Sequence, residues 1–165
     1  MSNFVCKVAS INEMNSRWDY LVRSNRDDSN WVIWKERSLE RASKGQSITY
    51  YGILDGEIIT ECTALLDSSI VQNSDGLVND TVAYLSAFRT VEEYQGKGYF
   101  SSLFKFMLSD LKSRGYEKVT LGVEPNEVTN MQIYFHYGFT EFVKLGTEVY
   151  PDGEQIYVLY YAKNI

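Results

Sequence analysis

The chain is 165 residues long, carries 16 Lys plus Arg against 22 Asp plus Glu, and has a formal net charge of −6. With 44% hydrophobic and 23% charged residues it has the makeup of one globular domain, not of a disordered or collagen-like chain. The acidic balance disfavours general nucleic-acid binding, no apolar run approaches the roughly 18 residues of a membrane span, and the N-terminus lacks a secretory pattern, so a cytoplasmic protein with neither nucleic-acid nor membrane partners is expected.

Residues 3–10 read as a first strand, and Asn12 opens a helix with Met14, Trp18, Leu21 and Val22 at helical spacing. A polar loop over 25–30 leads to a second helix over 31–44 that ends at Gly45. Strands at 47–54 and 57–66 flank Asp55-Gly56, a pair suited to the positive φ angles of a tight hairpin. A polar loop covers 68–79 and a third strong strand covers 81–91. The helix over 98–114 then aligns Phe100, Leu103, Phe104, Met107, Leu108 and Leu111 on one face and closes at Gly115.

A strand at 117–123, a short helix at 127–137 stopped by Gly138, and a strand at 139–147 follow; Pro151-Asp152-Gly153 turns the chain into the last strand, 155–163. The order is mixed α and β, with a strand–helix–strand unit over 81–123 that crosses over right-handed. Tyr157, Val158, Leu159, Tyr160 and Tyr161 make the last strand apolar enough for the edge of a homodimer as well as for a core. Cys6 and Cys62 read as small buried hydrophobes, and with lone His136 they fall short of a ligand set, so no metal is expected.

Charge is segregated along the chain. Between Gly45 and Phe88 there is no Lys or Arg, while Asp55, Glu57, Glu61, Asp67, Asp75 and Asp80 are acidic; from Arg89 to Lys118 the balance turns basic. One half would suit a cation and the other an anion, and an ordinary solvated surface is the plainer alternative.

Glu92-Glu93-Tyr94-Gln95-Gly96-Lys97-Gly98-Tyr99-Phe100 joins a strand to the long helix, and its glycines let consecutive backbone N–H groups converge where a pyrophosphate would sit. A Walker loop fails because Tyr99 follows Gly98. A dinucleotide fingerprint fits less well because Ser101 stands where the third Gly belongs, although Glu124, at a suitable distance for a ribose-binding acid, keeps that reading open.

The loop resembles that of the GNAT superfamily of acyl-CoA-dependent N-acyltransferases, Q/R-x-x-G-x-G/A: Gln95-Gly96-Lys97-Gly98-Tyr99-Phe100 fits it at Gln95 and Gly98 and departs from it at Phe100. A large side chain at Phe100 either narrows the turn or points into the core with Leu103 and Phe104. One strand later, Tyr134-Phe135-His136-Tyr137-Gly138-Phe139 is similar to the superfamily's Y-x-x-x-G-F, while Glu127 replaces the customary Asn and leaves its contact to Asn126 or Asn130. The resemblance implies an α/β (α+β) fold, a mixed, mostly antiparallel central sheet of about seven strands flanked by helices around a β-α-β acyl-CoA-binding core. Residues 1–165 then form a single acyl-CoA N-acyltransferase domain, with 1–46 giving a strand and the acceptor-side helices and 81–139 the acetyl-CoA-binding core.

The same resemblance implies acetyl-CoA as acyl donor, bound by Phe88, Arg89 and Thr90 on the splayed strand, by Gln95, Gly96, Lys97, Gly98, Tyr99, Phe100 and Ser101 in the loop, and by Asn126, Asn130 and Tyr134. The implied reaction is acetyl transfer to a primary amine of a small molecule or peptide by direct attack on the thioester. A non-catalytic acyl-CoA-binding or regulatory domain is the alternative, and a partner-binding module without CoA a third. Tyr134 matches the general acid; on its own letters it is equally a core aromatic on a short helix. Tyr84 and Ser86 stand where some members carry a carboxylate, which leaves Glu61 as base, Glu57 second and a water relay beside them; a strand-surface role for Glu61 is the plainer reading. His136 falls off the Tyr134 face as a surface or packing residue. Trp31, Trp34, Tyr50 and Tyr51 are the acceptor-side aromatics, with core packing as their alternative, and together with the acidic block they suit a cationic amine.

Overall fold

The computed structural model describes residues 2–165. After β1 (Phe4–Val8), α1 (Ile11–Ser24) opens earlier than its apolar spacing implies, because Ser10 and Glu13 form a reciprocal capping box. α2 (Asn30–Ser43) follows, and then β2 (Ser47–Leu54) and β3 (Glu57–Leu65), whose hairpin turns on Asp55 and Gly56 at φ 49° and 87°. β4 (Val82–Thr90), α3 (Tyr99–Ser113), β5 (Lys118–Val123) and α4 (Val128–His136) come next, and β6 (Glu141–Val149) and β7 (Gln155–Asn164) end the chain. The strands form one seven-stranded sheet in the order β1-β2-β3-β4-β5-β7-β6, in which only the β4–β5 pair is parallel. β7 is therefore an interior strand with Tyr160 fully buried, and β6 takes the edge.

Adjacent strand residues serve opposite faces. Tyr50, Cys62, Ala64, Leu85 and Leu121 meet the stripe Leu103, Phe104, Met107 and Leu111 of α3, with Tyr134 of α4 and Tyr137 at its C-terminal cap packed alongside. Each buried side chain of this stripe contributes roughly 1.5–3 kcal/mol. Inside it the Cys62 thiol donates to the Met107 sulfur at 3.2 Å, and burial pushes its pKa up. On the other face Met14, Trp18 and Leu21 of α1 close over Tyr51, with Trp31 and Trp34 of α2 packed against them.

Residues 68–79 do more than form a polar loop. Val71, Leu77 and Val78 are buried against Leu65, Val158 and Tyr160, so the segment covers the sheet where α1 and α2 do not reach. Gln72 secures it by donating to the Val149 carbonyl and accepting from the Val149 N–H, and Asn73 donates to the Thr147 carbonyl.

The β3–β4 register positions the site. Thr63 stands opposite Ser86 and Glu61 opposite Arg89, so Ala87 and Phe88 together face Cys62 alone: a β-bulge, with Ala87 at φ 57°. The extra residue reverses the alternation. Phe88 turns toward Phe100 of α3 at 5.6 Å between ring centroids, while Arg89 joins the face of α1 and α2, 5.4 Å over Trp18 and 5.0 Å over Trp31.

Glu61 fastens this arrangement. It is 4% exposed, contrary to a surface strand role, and accepts from Arg89 Nη1 at 2.9 Å and from Arg17 Nε at 2.6 Å, tying β3 to β4 and α1. Removing the shared carboxylate of a buried triad leaves two guanidinium charges uncompensated. Glu61→Gln is expected to lower unfolding stability by roughly 2–3 kcal/mol, the partial exposure of Arg89 moderating the loss, with urea unfolding as the measurement.

Candidate active site

Parallel pairing of β4 with β5 runs from Val82–Lys118 to Leu85–Leu121 and stops there. Beyond it the bulge carries β4 away, so from residue 86 the β5-facing edge of β4 has no strand partner. A cleft of about 630 Å³ opens at this point, walled by Phe88, Arg89 and Thr90, by the glycine loop, and by α4.

The loop suits an anion. Gly96 and Gly98 both adopt left-handed φ, 73° and 86°, and a Cβ at either would meet nothing within 4 Å, so glycine is needed there for conformation and not for space. Among the described residues, the backbone N–H groups of residues 96–101 have no hydrogen-bond acceptor, and the first turn of α3 carries no acidic side chain. Open donors and the positive end of a fifteen-residue helix thus face one cleft. The Gln95 side chain fixes the loop to β4 by donating to the Thr90 carbonyl at 3.0 Å.

Of the residues expected around a donor, Phe88, Arg89, Thr90, Gln95, Gly96, Gly98, Tyr99, Phe100, Ser101, Asn130 and Tyr134 line this cleft. Lys97 and Asn126 do not; Lys97 extends over the Tyr94 ring instead, and Asn126 is exposed ahead of α4. Between the two candidates for the missing Asn contact, Asn130 is therefore the one at the cleft. Phe100 packs on Phe88, Phe104 and Tyr137 at 5.4–6.0 Å, and its bulk goes into the core while its edge lines the cleft wall. His136, expected off this face, also lines the cleft, as do Tyr94 and Gln132, which carried no motif.

Tyr134 is held between Phe88, at 5.4 Å, and Phe139, at 6.5 Å. Burial, and then the carboxylate of Glu127, push its phenol pKa up to about 12. Its hydroxyl has no hydrogen-bond partner among the described residues. The group is a protonated donor at neutral pH.

A second cleft, of about 400 Å³, lies on the α1–α2 side of β4 and shares Arg89 with the first. Trp34 lines it, packed edge-on against Tyr150 at 5.5 Å, while Asn30 of α2 and Asp152 of the β6–β7 turn exchange two hydrogen bonds. Three of the expected aromatics do not line it. Tyr50 and Tyr51 are 0% and 1% exposed, Tyr50 with its hydroxyl bound to Asp110, and Trp31 is packed between Trp18 and Trp34.

The acidic block of the sequence is likewise dispersed. Glu61 is consumed by two arginines, Asp67 caps a short 3-10 helix and binds Gln46, Glu57 is exposed at the hairpin, and none of the six lines the second cleft. Both Glu61 oxygens are engaged by guanidinium groups and the residue lines neither cleft, which does not suit it to the expected role of base. The acids that matter come from elsewhere. Glu148 of β6 lines the cleft and accepts from Tyr160 at 2.6 Å and Tyr84 at 3.4 Å, both through Oε2. Burial and then Glu127, Glu154 and Glu148 raise the pKa of Glu124 at the end of β5, so four carboxylates share the field at the splayed strand ends.

The sequence over residues 11–139 matches the family described as "Acetyltransferase (GNAT) family". No curated protein matches the sequence. Solved structures of similar fold include the ribosomal-protein-S18-alanine N-acetyltransferase of Escherichia coli, with TM-score 0.71, 14% identity and coverage of 99% of this chain and 94% of that one. A GNAT-family acetyltransferase from Streptococcus pneumoniae gives 0.67, 15%, 99% and 100%, and a putative acetyltransferase from Salmonella typhimurium, solved with its cofactor acetyl-CoA, gives 0.65, 11%, 98% and 93%. The matched span contains the glycine loop, the bulged strand and Tyr134, and the chain belongs to the GNAT family of acetyltransferases.

Proposed function

We propose that the protein transfers an acetyl group from acetyl-CoA to a primary amine by direct attack of the amine on the thioester. The observation that carries this reading is the presence in one cleft of an open N–H cradle at the start of α3 and an unpartnered, protonated phenol at Tyr134. The cradle fits the pyrophosphate, and the unpaired edge of β4 fits the pantetheine amides that follow it. When bound, the thioester supplies the electrophilic carbonyl carbon.

The protein's own groups then divide the work. A primary amine with pKa near 10.4 is only about a thousandth neutral near pH 7.4, so a base must take its proton. Glu148 fits that role: it lines the acceptor cleft and spends only Oε2 on the phenols of Tyr84 and Tyr160. As the new C–N bond forms the nitrogen releases its second proton to solvent, and as the C–S bond breaks Tyr134 donates a hydrogen bond to the departing sulfur. A full proton transfer from a phenol at about 12 to a thiolate with an ordinary pKa near 8.5 would be uphill by roughly 5 kcal/mol. Tyr134 therefore acts by hydrogen-bond donation, and solvent protonates the thiolate after it leaves.

Calorimetric titration of acetyl-CoA, with NAD as control, tests the donor site; saturable binding of acetyl-CoA alone is expected, and binding of neither ligand would remove the proposal. Gly98→Ala is expected to weaken acetyl-CoA binding roughly tenfold, because a Cβ at φ 86° costs about 1–2 kcal/mol in the cradle conformation. Tyr134→Phe should lower kcat by about a hundredfold with acetyl-CoA affinity retained; unchanged turnover would remove Tyr134 from the reaction, and no turnover in either protein would leave an acyl-CoA-binding domain. Because its raised pKa keeps the phenol protonated, the rate should climb as the amine deprotonates and show no falling limb up to about pH 10, read from a pH profile of kcat.

A further inference from the structure

α2 presents two faces to the protein. Trp31, Leu39 and Ala42 join the core over α1, whereas Arg37, Ser38 and Arg41, in one stripe at helical spacing with Trp34, line the second cleft, Trp34 packing against that core as well. Two of these four are arginines, Arg41 half-buried and Arg37 exposed. Neither Arg37 nor Arg41 has an ion-pair or hydrogen-bond partner among the described residues, whereas Arg17, Arg89 and Arg114 are all paired. Arg41 is half-buried, and burial and then the neighbouring Arg37 charge lower its pKa, with Glu40 offsetting part of the effect. Of the acids adjacent in sequence, Glu40 is bound to Lys44 and Glu36 is exposed and pairs with neither arginine.

The same cleft carries Glu148 on its β6 wall. It is thus bipolar: a carboxylate suited to an ammonium, and a pair of guanidinium groups suited to a carboxylate or phosphate, whose planar forks bind such oxygens in pairs. The CoA phosphates do not account for the arginines, because the N–H cradle at the start of α3 opens into the other cleft.

Resting on the acetyltransferase reading above, we propose that the acceptor is a small amine that also bears an anionic group, an amino acid or an aminoalkyl phosphate, with Arg37 and Arg41 binding the anion and Glu148 receiving the amine. This replaces the cationic acceptor suggested by the charge segregation of the sequence. The anion offsets the Arg37–Arg41 repulsion, and the half-buried Arg41 supplies the less solvent-screened of the two contacts.

The test is acetyl-CoA turnover on matched amines: the common amino acids against their decarboxylated amines, and 2-aminoethyl phosphate against ethanolamine, with wild type and Arg37→Gln/Arg41→Gln. At least one anionic amine should exceed its partner in kcat/KM by tenfold or more, and the carboxylate and phosphate arms identify which anion is read. In the double variant that preference should fall toward one, chiefly through KM. Its acetyl-CoA affinity should be unchanged and its melting temperature no lower, since an unpaired, repelling pair is not a structural contact. If acetyl-CoA binds and no anionic amine exceeds its partner, or the double variant keeps the preference, the inference is overturned while the acetyltransferase reading stands. If acetyl-CoA does not bind, that reading falls and takes the inference with it.

Discussion

The single parallel strand pair constrains everything else in this fold. β4 and β5 must be joined by a crossover, which α3 supplies, and their pairing must end at Leu85 and Leu121 for any ligand to reach between them. The separation is produced by one inserted residue. Ala87 at φ 57° is a conformation that L-residues adopt at a cost of about 1–2 kcal/mol, and the Arg17–Glu61–Arg89 triad two residues away holds the strand in register beyond it. Without the insertion, alternation would send Arg89 into the α3 core and Phe88 toward α1. The bulge thus sorts an aromatic wall to one cleft and a shared arginine to both.

Electrostatically the two clefts are built in different ways. The first relies on backbone: open N–H groups and a helix dipole, with no formal charge from the first turn of α3. The second relies on side chains of opposite sign, gathered from α2 and β6, elements distant in sequence. Aromatic packing between Trp34 and Tyr150 and the Asn30–Asp152 hydrogen bonds tie α2 to the β6–β7 turn that borders the same cleft.

Local signals in the sequence carried much of this. The α3 stripe, the Asp55-Gly56 hairpin and the glycine loop were legible because each is specified by residues a few positions apart, and the loop and Tyr134 gained meaning from their order along the chain. Glu61 and the second cleft were not legible. The fate of Glu61 depends on a bulge at Ala87 that no nearby glycine or proline announces, and its partners come from α1 and β4. Glu148 has no motif around it, and Arg41 looks like the solvated face of an amphipathic helix until β6 and the segment 68–79 supply the other walls of its cleft. The linear acidic block misled for the same reason: proximity along the chain is not proximity in space.

The Cys62–Met107 contact has a consequence for how the molecule breathes. The thiol is fully buried on β3 beneath α3, and burial keeps it protonated, so an alkylating reagent can reach it only when helix and sheet part. Its labelling rate is therefore a clock for the opening of the layer that supports the first cleft. Ligand held between α3 and β4 slows that clock by the fraction of molecules it keeps closed.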